Sequence, residues 1–152
     1  MDSIQIEIRN RVNIREINRY LGYGAKMPDD SVNALITEVL EELMCAVKPR
    51  NLYQLYHSSV LGSQVILEAP DKKMIFESQN LADNLSQCEK VVLMAATLGL
   101  EADKLLQKYE IVNMTKAAVA QACGAACIEA YCNILQEQIC DAQSEYGRKL
   151  YL

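Results

Sequence analysis

Ala117, Ala118, Ala120, Ala122, Cys123, Gly124, Ala125, Ala126 and Cys127 crowd one short stretch with side chains no larger than a thiol. Asn113 or Thr115 can cap a helix there, and the pattern carries it to about Ser144. A helix that is apolar and small almost all round in its first half suits the middle of a domain. Small side chains also let another backbone, or a ligand, come close.

Upstream, Leu100 to Tyr109 reads as a helix carrying Leu100, Leu105 and Leu106. Before it, Lys90-Val-Val-Leu-Met-Ala-Ala96 lies between Glu89 and a Thr97-Leu-Gly99 turn. An edge strand alternates polar with apolar, so this run predicts a central strand covered on both faces.

From the N-terminus, Ile4, Ile6 and Ile8 alternate with Gln5, Glu7 and Arg9, the period-2 signature of a half-buried first strand. Asn13 to Glu16 has capping-box spacing, with Asn13 placed to accept from the N3 amide of a short helix reaching Leu21. Gly22-Tyr-Gly24 stops that helix; with Tyr20 and Tyr23 the cluster could form a ligand loop, though a helix-helix turn is the simpler reading. Val32, Leu35, Ile36, Val39, Leu40, Leu43, Met44 and Val47 then form an amphipathic stripe, ended by Pro49. Glu38, Glu41 and Glu42 lie mainly off the stripe and read as a solvated face rather than as paired acid and base.

Leu52–Tyr56, Gln64–Leu67 and Met74–Phe76 are β-prone pieces separated by Ser58-Ser59, Gly62 and Ala69-Pro-Asp71, which predicts a strand followed by an antiparallel pair. His57, the sole histidine, falls at the end of the first piece with no Cys, Asp or Glu beside it in sequence, so it reads as a strand-end surface residue. Ser78 caps a short helix through Leu85. Helices and strands mix without a regular βαβ beat, so the expected fold class is α+β, a mainly antiparallel sheet packed with helices and a long central C-terminal helix, as one domain over residues 1–152.

Composition narrows the function classes. A formal net charge of -5, with fifteen scattered basic residues, argues against a nucleic-acid partner. No apolar run approaches the ~18 residues of a membrane span, and the N-terminus lacks the basic start and apolar core of a signal peptide, so the expected location is the cytoplasm. The six cysteines are then reduced thiols, without C-x-x-C pairs. Cys123 and Cys127 share a helix face, as two metal or redox ligands would, but Cys132 points about 180° away, so small packing residues are the preferred reading. Glu129 is a carboxylate in the most apolar helical stretch; buried, it needs a partner or a ligand to offset desolvation, and the alternative is an exposed strip facing water.

Three segments together carry a family signal: Cys88-Glu-Lys-Val-Val-Leu-Met-Ala-Ala-Thr-Leu-Gly99, Ala102-Asp103, and Ala122-Cys-Gly-Ala-Ala-Cys-Ile-Glu-Ala130. They resemble the activation domain of cobalamin-dependent methionine synthase in its small stand-alone version, and Tyr20-Leu-Gly-Tyr-Gly24 with the helix from Asp30 is similar to that family's opening. The resemblance implies a methionine synthase activation domain-like fold and an accessory role rather than an independent enzyme. That role is to bind S-adenosylmethionine and support reductive methylation of cob(II)alamin. The cobalamin is held by the partner's cobalamin module, and a flavodoxin-type reductant supplies the electron.

In that family an R-x-x-P-G-Y-like segment follows the long helix and contacts S-adenosylmethionine. This sequence ends at Leu152 before any such segment, with Lys149-Leu-Tyr-Leu152 resembling the strand that leads to it, so the domain is expected to be incomplete at its C-terminus and to bind weakly. Carried over by position, the ligand contacts are Glu129, with Thr97 and Gly99 at the strand-end turn; none is catalytic. The alternative function is a non-catalytic protein-interaction module with a vestigial ligand pocket. An open sheet edge also makes a second copy of the chain a candidate partner.

Overall fold

A computed structural model describes residues 1–24 and 26–144. The expected strand at Lys149–Leu152 lies outside the described residues. The elements run α1 (Ser3–Arg11), α2 (Ile14–Tyr20), α3 (Asp30–Ala46), β1 (Arg50–Leu61), β2 (Gln64–Ala69), β3 (Lys72–Glu77), α4 (Gln79–Leu85), β4 (Lys90–Thr97), α5 (Leu100–Val112) and α6 (Met114–Ser144). The fold class is α+β, with an antiparallel sheet and a long C-terminal helix, as the sequence predicts. By contacts the chain forms two compact units, Asn51–Ala95 and the remainder on either side of it.

The helical unit is assembled on α6, which packs against α1, α2, α3 and α5. Asn113 opens α6 by accepting from the amides of Thr115 and Lys116, both at 3.1 Å. Its small residues face inward as expected, with Ala120, Cys123 and Cys127 fully buried, but Ala118 and Gln121 are exposed, so the helix is not enclosed all round. By length and mean hydropathy α6 is the one described helix able to cross a membrane, yet most of its apolar window is buried inside the protein. The α3 stripe is realised, with Ile36, Val39, Leu40, Leu43, Met44 and Val47 all buried. Burying those side chains contributes on the order of 1.5–3 kcal/mol each.

Ile4, Ile6 and Ile8 do not form a strand. They lie on helix α1, where a complete capping box joins Asp2 and Gln5 and the buried positions are Gln5 and Ile8, three residues apart. Gln5 completes the docking by donating from Nε2 to the Val47 carbonyl at 2.6 Å, satisfying a buried amide. Arg9 pairs with Glu41 at 2.9 Å and Arg11 with Glu137 at 2.6 Å, tying α1 to α3 and α6. In α2, Asn13 accepts from the Arg15 amide rather than from the N3 amide, and Glu16 binds Arg19 instead of closing a capping box.

The second unit is a sheet in the order β3-β2-β1-β4 with α4 on one face. Register pairs Val60 with Val65, Leu67 with Met74, and Val65 with Phe76. That alternation brings Tyr56, Val65 and Leu67 to one side, where Ala82, Leu81 and Leu85 of α4 cover them. Ser78 caps α4 by accepting from the Leu81 amide at 3.3 Å.

Two strand expectations change. β4 is the end strand of the described sheet, not a central one, and Leu93, Ala95 and Thr97 on it are exposed. Ser58-Ser59 does not break β1, which runs on to Leu61, so His57 stands inside the strand rather than at its end. There it is exposed and faces Glu68 of β2 across the ladder.

Candidate functional site

The helical unit contains a cleft where the turn after β4 meets the helices. Lys48 donates from its amide to the Leu98 carbonyl at 2.8 Å, fixing the turn to the end of α3. Gly99 follows with φ +97°, a region closed to side chains, and a Cβ on it would lie 2.5 Å from the Lys48 carbonyl oxygen. Thr97 Oγ1 accepts from the Gly99 amide at 3.1 Å, and the Gly99 carbonyl accepts from Ala102 and Asp103 to start α5. Glycine here is therefore a backbone requirement: it lets strand, helix end and new helix meet at one point.

Between this turn and the small-residue face of α6 lies a cavity of about 320 Å³. Ala96, Thr97 and Leu98 border it from the turn, Ala102, Asp103 and Leu106 from α5, and Gln121, Gly124, Ala125 and Ile128 from α6; Leu43 of α3 completes the lining. Gly124 has no side chain to fill the space, and a Cβ there would only touch Leu106 Cδ2 at 3.7 Å. The polar atoms come from Thr97, Asp103 and Gln121. Gln121 donates one Nε2 proton to Glu110 at 3.3 Å, which leaves its carbonyl oxygen and its second N–H for other partners. Asp103 is the one ionisable residue lining the cavity among the described residues, so the cleft is equipped to bind and orient rather than to pass a proton between an acid and a base.

The three positions carried over from the family resemblance separate. Thr97 lines the cleft. Gly99 shapes it through backbone geometry. Glu129, one residue past Ile128, does not line it; the side chain is exposed and accepts from Tyr20 Oη of α2 at 3.4 Å, so no buried carboxylate demands a ligand there. Beside it Arg19 stacks over the Tyr20 ring at 4.7 Å. The glycines after Tyr20 form the turn that ends α2, both at positive φ. Asp103 and Gln121 are the cleft residues that sequence patterning passed over as site candidates. Asp103 stands within the Ala102-Asp103 segment, but only the pairing of α5 with α6 brings it to the same cavity as Gln121.

Cys123 and Cys127 are buried side by side on α6, and Cys127 Sγ lies 3.9 Å from Met44 Sδ. Burial pushes both thiols up to about 12, so neither is a thiolate at neutral pH. Of the α3 carboxylates, Glu41 is paired to Arg9, while Glu38 and Glu42 both meet Lys116 of α6, at 2.5 and 3.5 Å. Tyr109 of α5 donates a short hydrogen bond to Glu42, and Lys116 stacks over its ring at 5.6 Å. The tyrosine hydroxyl, then Lys116, holds Glu42 below the ordinary glutamate range, partly offset by burial; Tyr109 is raised by burial first and by Glu42 second. This cluster ties α3, α5 and α6 together.

No model of a known protein family matches the sequence, and no curated protein matches it.

Proposed function

We propose that this chain is an accessory domain of a cobalamin-dependent methionine synthase. It would bind S-adenosylmethionine and support reductive methylation of cob(II)alamin held by a separate cobalamin module, with a flavodoxin-type reductant as electron donor. One observation supports the reading. The segments 88–99, 102–103 and 122–130, which carry the family resemblance, supply eight of the eleven residues lining the cleft. Segments that far apart in sequence meet only through the fold, and where they meet there is room for a ligand.

The cavity volume lies at the small end of the range for ligand sites, roughly 300–1,000 Å³, so the cleft would seat part of S-adenosylmethionine and leave the rest in water. Apolar surface from Leu43, Leu106 and Ile128 would cover the ligand body, and Thr97, Asp103 and Gln121 would orient it. The domain's part is to hold the methyl donor in place; the redox chemistry belongs to the partner's cobalamin and the reductant. Titration calorimetry with S-adenosylmethionine tests the ligand half, with weak binding expected. No heat and no thermal stabilisation at millimolar ligand removes it.

A second reading, a non-catalytic interaction module, is favoured by the α5–α6 corner, where Ile111, Val112 and Met114 are 87%, 72% and 74% exposed. A pull-down against the methionine synthase cobalamin module, with and without S-adenosylmethionine, separates the two. Capture independent of ligand supports the second reading, and failure in both conditions counts against each.

A further inference from the structure

We infer that the cleft between α5 and α6 selects a small amphiphilic cation, an apolar body carrying a protonated amine or an onium centre, and that Asp103 is the specificity-determining residue. The inference deepens the proposed function at the same cleft, since S-adenosylmethionine, with its sulfonium centre and amine, belongs to this class, but it is argued from the polar atoms of the cleft. Most of the lining is apolar, supplied by Leu43, Leu106, Ala125, Ile128 and their neighbours, so the ligand must bring apolar surface.

The polar atoms are biased toward accepting. Gln121 spends one of its two amide protons on Glu110 and keeps its carbonyl oxygen to receive a donor, so the full negative charge of Asp103 decides the balance. The Asp103 carboxylate makes no ion pair among the described residues, whereas its neighbour Lys104 is held by Glu101 at 2.9 Å. No basic residue lines the cavity among the described residues. The positive end of α5 gives an anion no substitute, since Glu101 and Asp103 occupy its first turn and already meet that field. The side-chain donors in the lining are both neutral: the Thr97 hydroxyl, whose oxygen already accepts from Gly99, and the second Nε2 proton of Gln121. A cation therefore finds a carboxylate and a carbonyl, while an anion of the same shape finds an uncompensated negative charge.

The test uses two probes of similar shape and opposite charge, phenethylamine and 3-phenylpropanoate, titrated separately into isotope-labelled protein while the backbone amides are followed by NMR. Phenethylamine is expected to shift the amides of Ala102, Asp103, Gly124 and Ala125 at millimolar concentration, and 3-phenylpropanoate is expected to leave them in place. Asp103→Asn should weaken phenethylamine about tenfold, the lower end for losing a charge-assisted contact at an exposed site. Asp103 is exposed and holds no ion pair among the described residues, so the variant loses only a first-turn helix-dipole contribution and its melting temperature should stay within about 4 °C of the parent, which separates lost recognition from lost fold.

Equal or tighter binding of the anion, no shifts at these amides with either probe, or an Asp103→Asn affinity within twofold of the parent overturns the inference. Phenethylamine bound at the cleft in a protein that ignores S-adenosylmethionine removes the proposed function and leaves this inference standing. S-adenosylmethionine bound with an affinity indifferent to Asp103→Asn does the reverse.

Discussion

Replacing Gly99 with alanine tests whether the turn after β4 is the constraint that organises the cleft. Two costs arise at once. The backbone at φ +97° and ψ 159° lies in a region essentially reserved for glycine, and forcing a side chain into it costs about 1–3 kcal/mol. The new methyl group would also stand 2.5 Å from the Lys48 carbonyl oxygen, a backbone atom that cannot swing aside as a side-chain tip can. Relief requires the turn to move off α3, which strains the 2.8 Å bond from the Lys48 amide to Leu98, a further loss of about 0.5–1.5 kcal/mol.

The sum, about 1.5–4.5 kcal/mol, is a large part of the 5–15 kcal/mol that typically stabilises a folded protein, and at about 2–4 °C per kcal/mol it lowers the melting temperature by roughly 10 °C. Urea unfolding followed by far-ultraviolet circular dichroism measures it. Gly22→Ala is the matched control in the same unit, because its φ is +83° but nothing lies within 4 Å of the added Cβ, so it carries backbone strain without the collision. If Gly99→Ala destabilises no more than Gly22→Ala, the close approach to Lys48 does not hold the turn and the reasoning fails.

Thiol labelling of the native protein at pH 8 should modify exposed Cys45 and spare Cys123 and Cys127, which should react only after unfolding; mass spectrometry of the labelled peptides reads the difference. Tyr109→Phe removes the hydroxyl that donates to Glu42 and should cost about 1–3 kcal/mol at neutral pH. Because Glu42 is depressed in the folded state, its stabilisation is complete above the ordinary glutamate pKa of about 4.3 and is lost as pH falls through the folded value, so parent and variant should converge in acid. Tyr109 is shifted upward, so the stability linked to its protonated form is complete below about pH 10 and fades as pH rises beyond that; equilibrium unfolding across the pH range checks both limbs. Leu67→Ala, in the sheet unit, should cost about 2–5 kcal/mol by opening a cavity under α4, measured by denaturant unfolding.

The parts of the fold that were legible in the sequence are those written by local periodicity over enough residues. The stripe from Val32 to Val47 fixes its own helix because eight apolar positions recur at three and four residue steps, and Ser78 and Asn113 announce their helices by capping. The stretch Ile4 to Ile8 was too short for the same test. Ile4 and Ile8 are also one helical turn apart, and the deciding signal was the Asp2 to Gln5 capping box in front of them. The Lys90–Ala96 run shows the limit differently: apolar content identifies a strand, but its place at the end of the sheet depends on which strands pair.

The site required still more of the fold. Gly99 and Thr97 could be singled out from a motif, and the structure gives them distinct jobs, one backbone and one lining. Glu129 has apolar neighbours in sequence, yet a helix turns 100° per residue, and one step past Ile128 is enough to put it outside the cleft lining and in reach of Tyr20. The value of Asp103 and Gln121 lies in their lining one cavity from two helices, which no spacing rule records. His57 follows the same logic, since only the strand register sets it across from Glu68.

The order in which the chain leaves the ribosome gives α6 one more consequence. α1, α2 and α3 all rest against a helix that begins at Met114, so they emerge while the surface they need is still unmade. At roughly 5–20 residues per second, the 67 residues between Ala46 and Met114 impose a wait of several seconds. During that wait the apolar stripe of α3 faces water, while β1 to β4 and α4, which find one another within a single contiguous span, have no such delay. Nascent chains caught in this interval are the ones exposed to proteases and to clustering with one another.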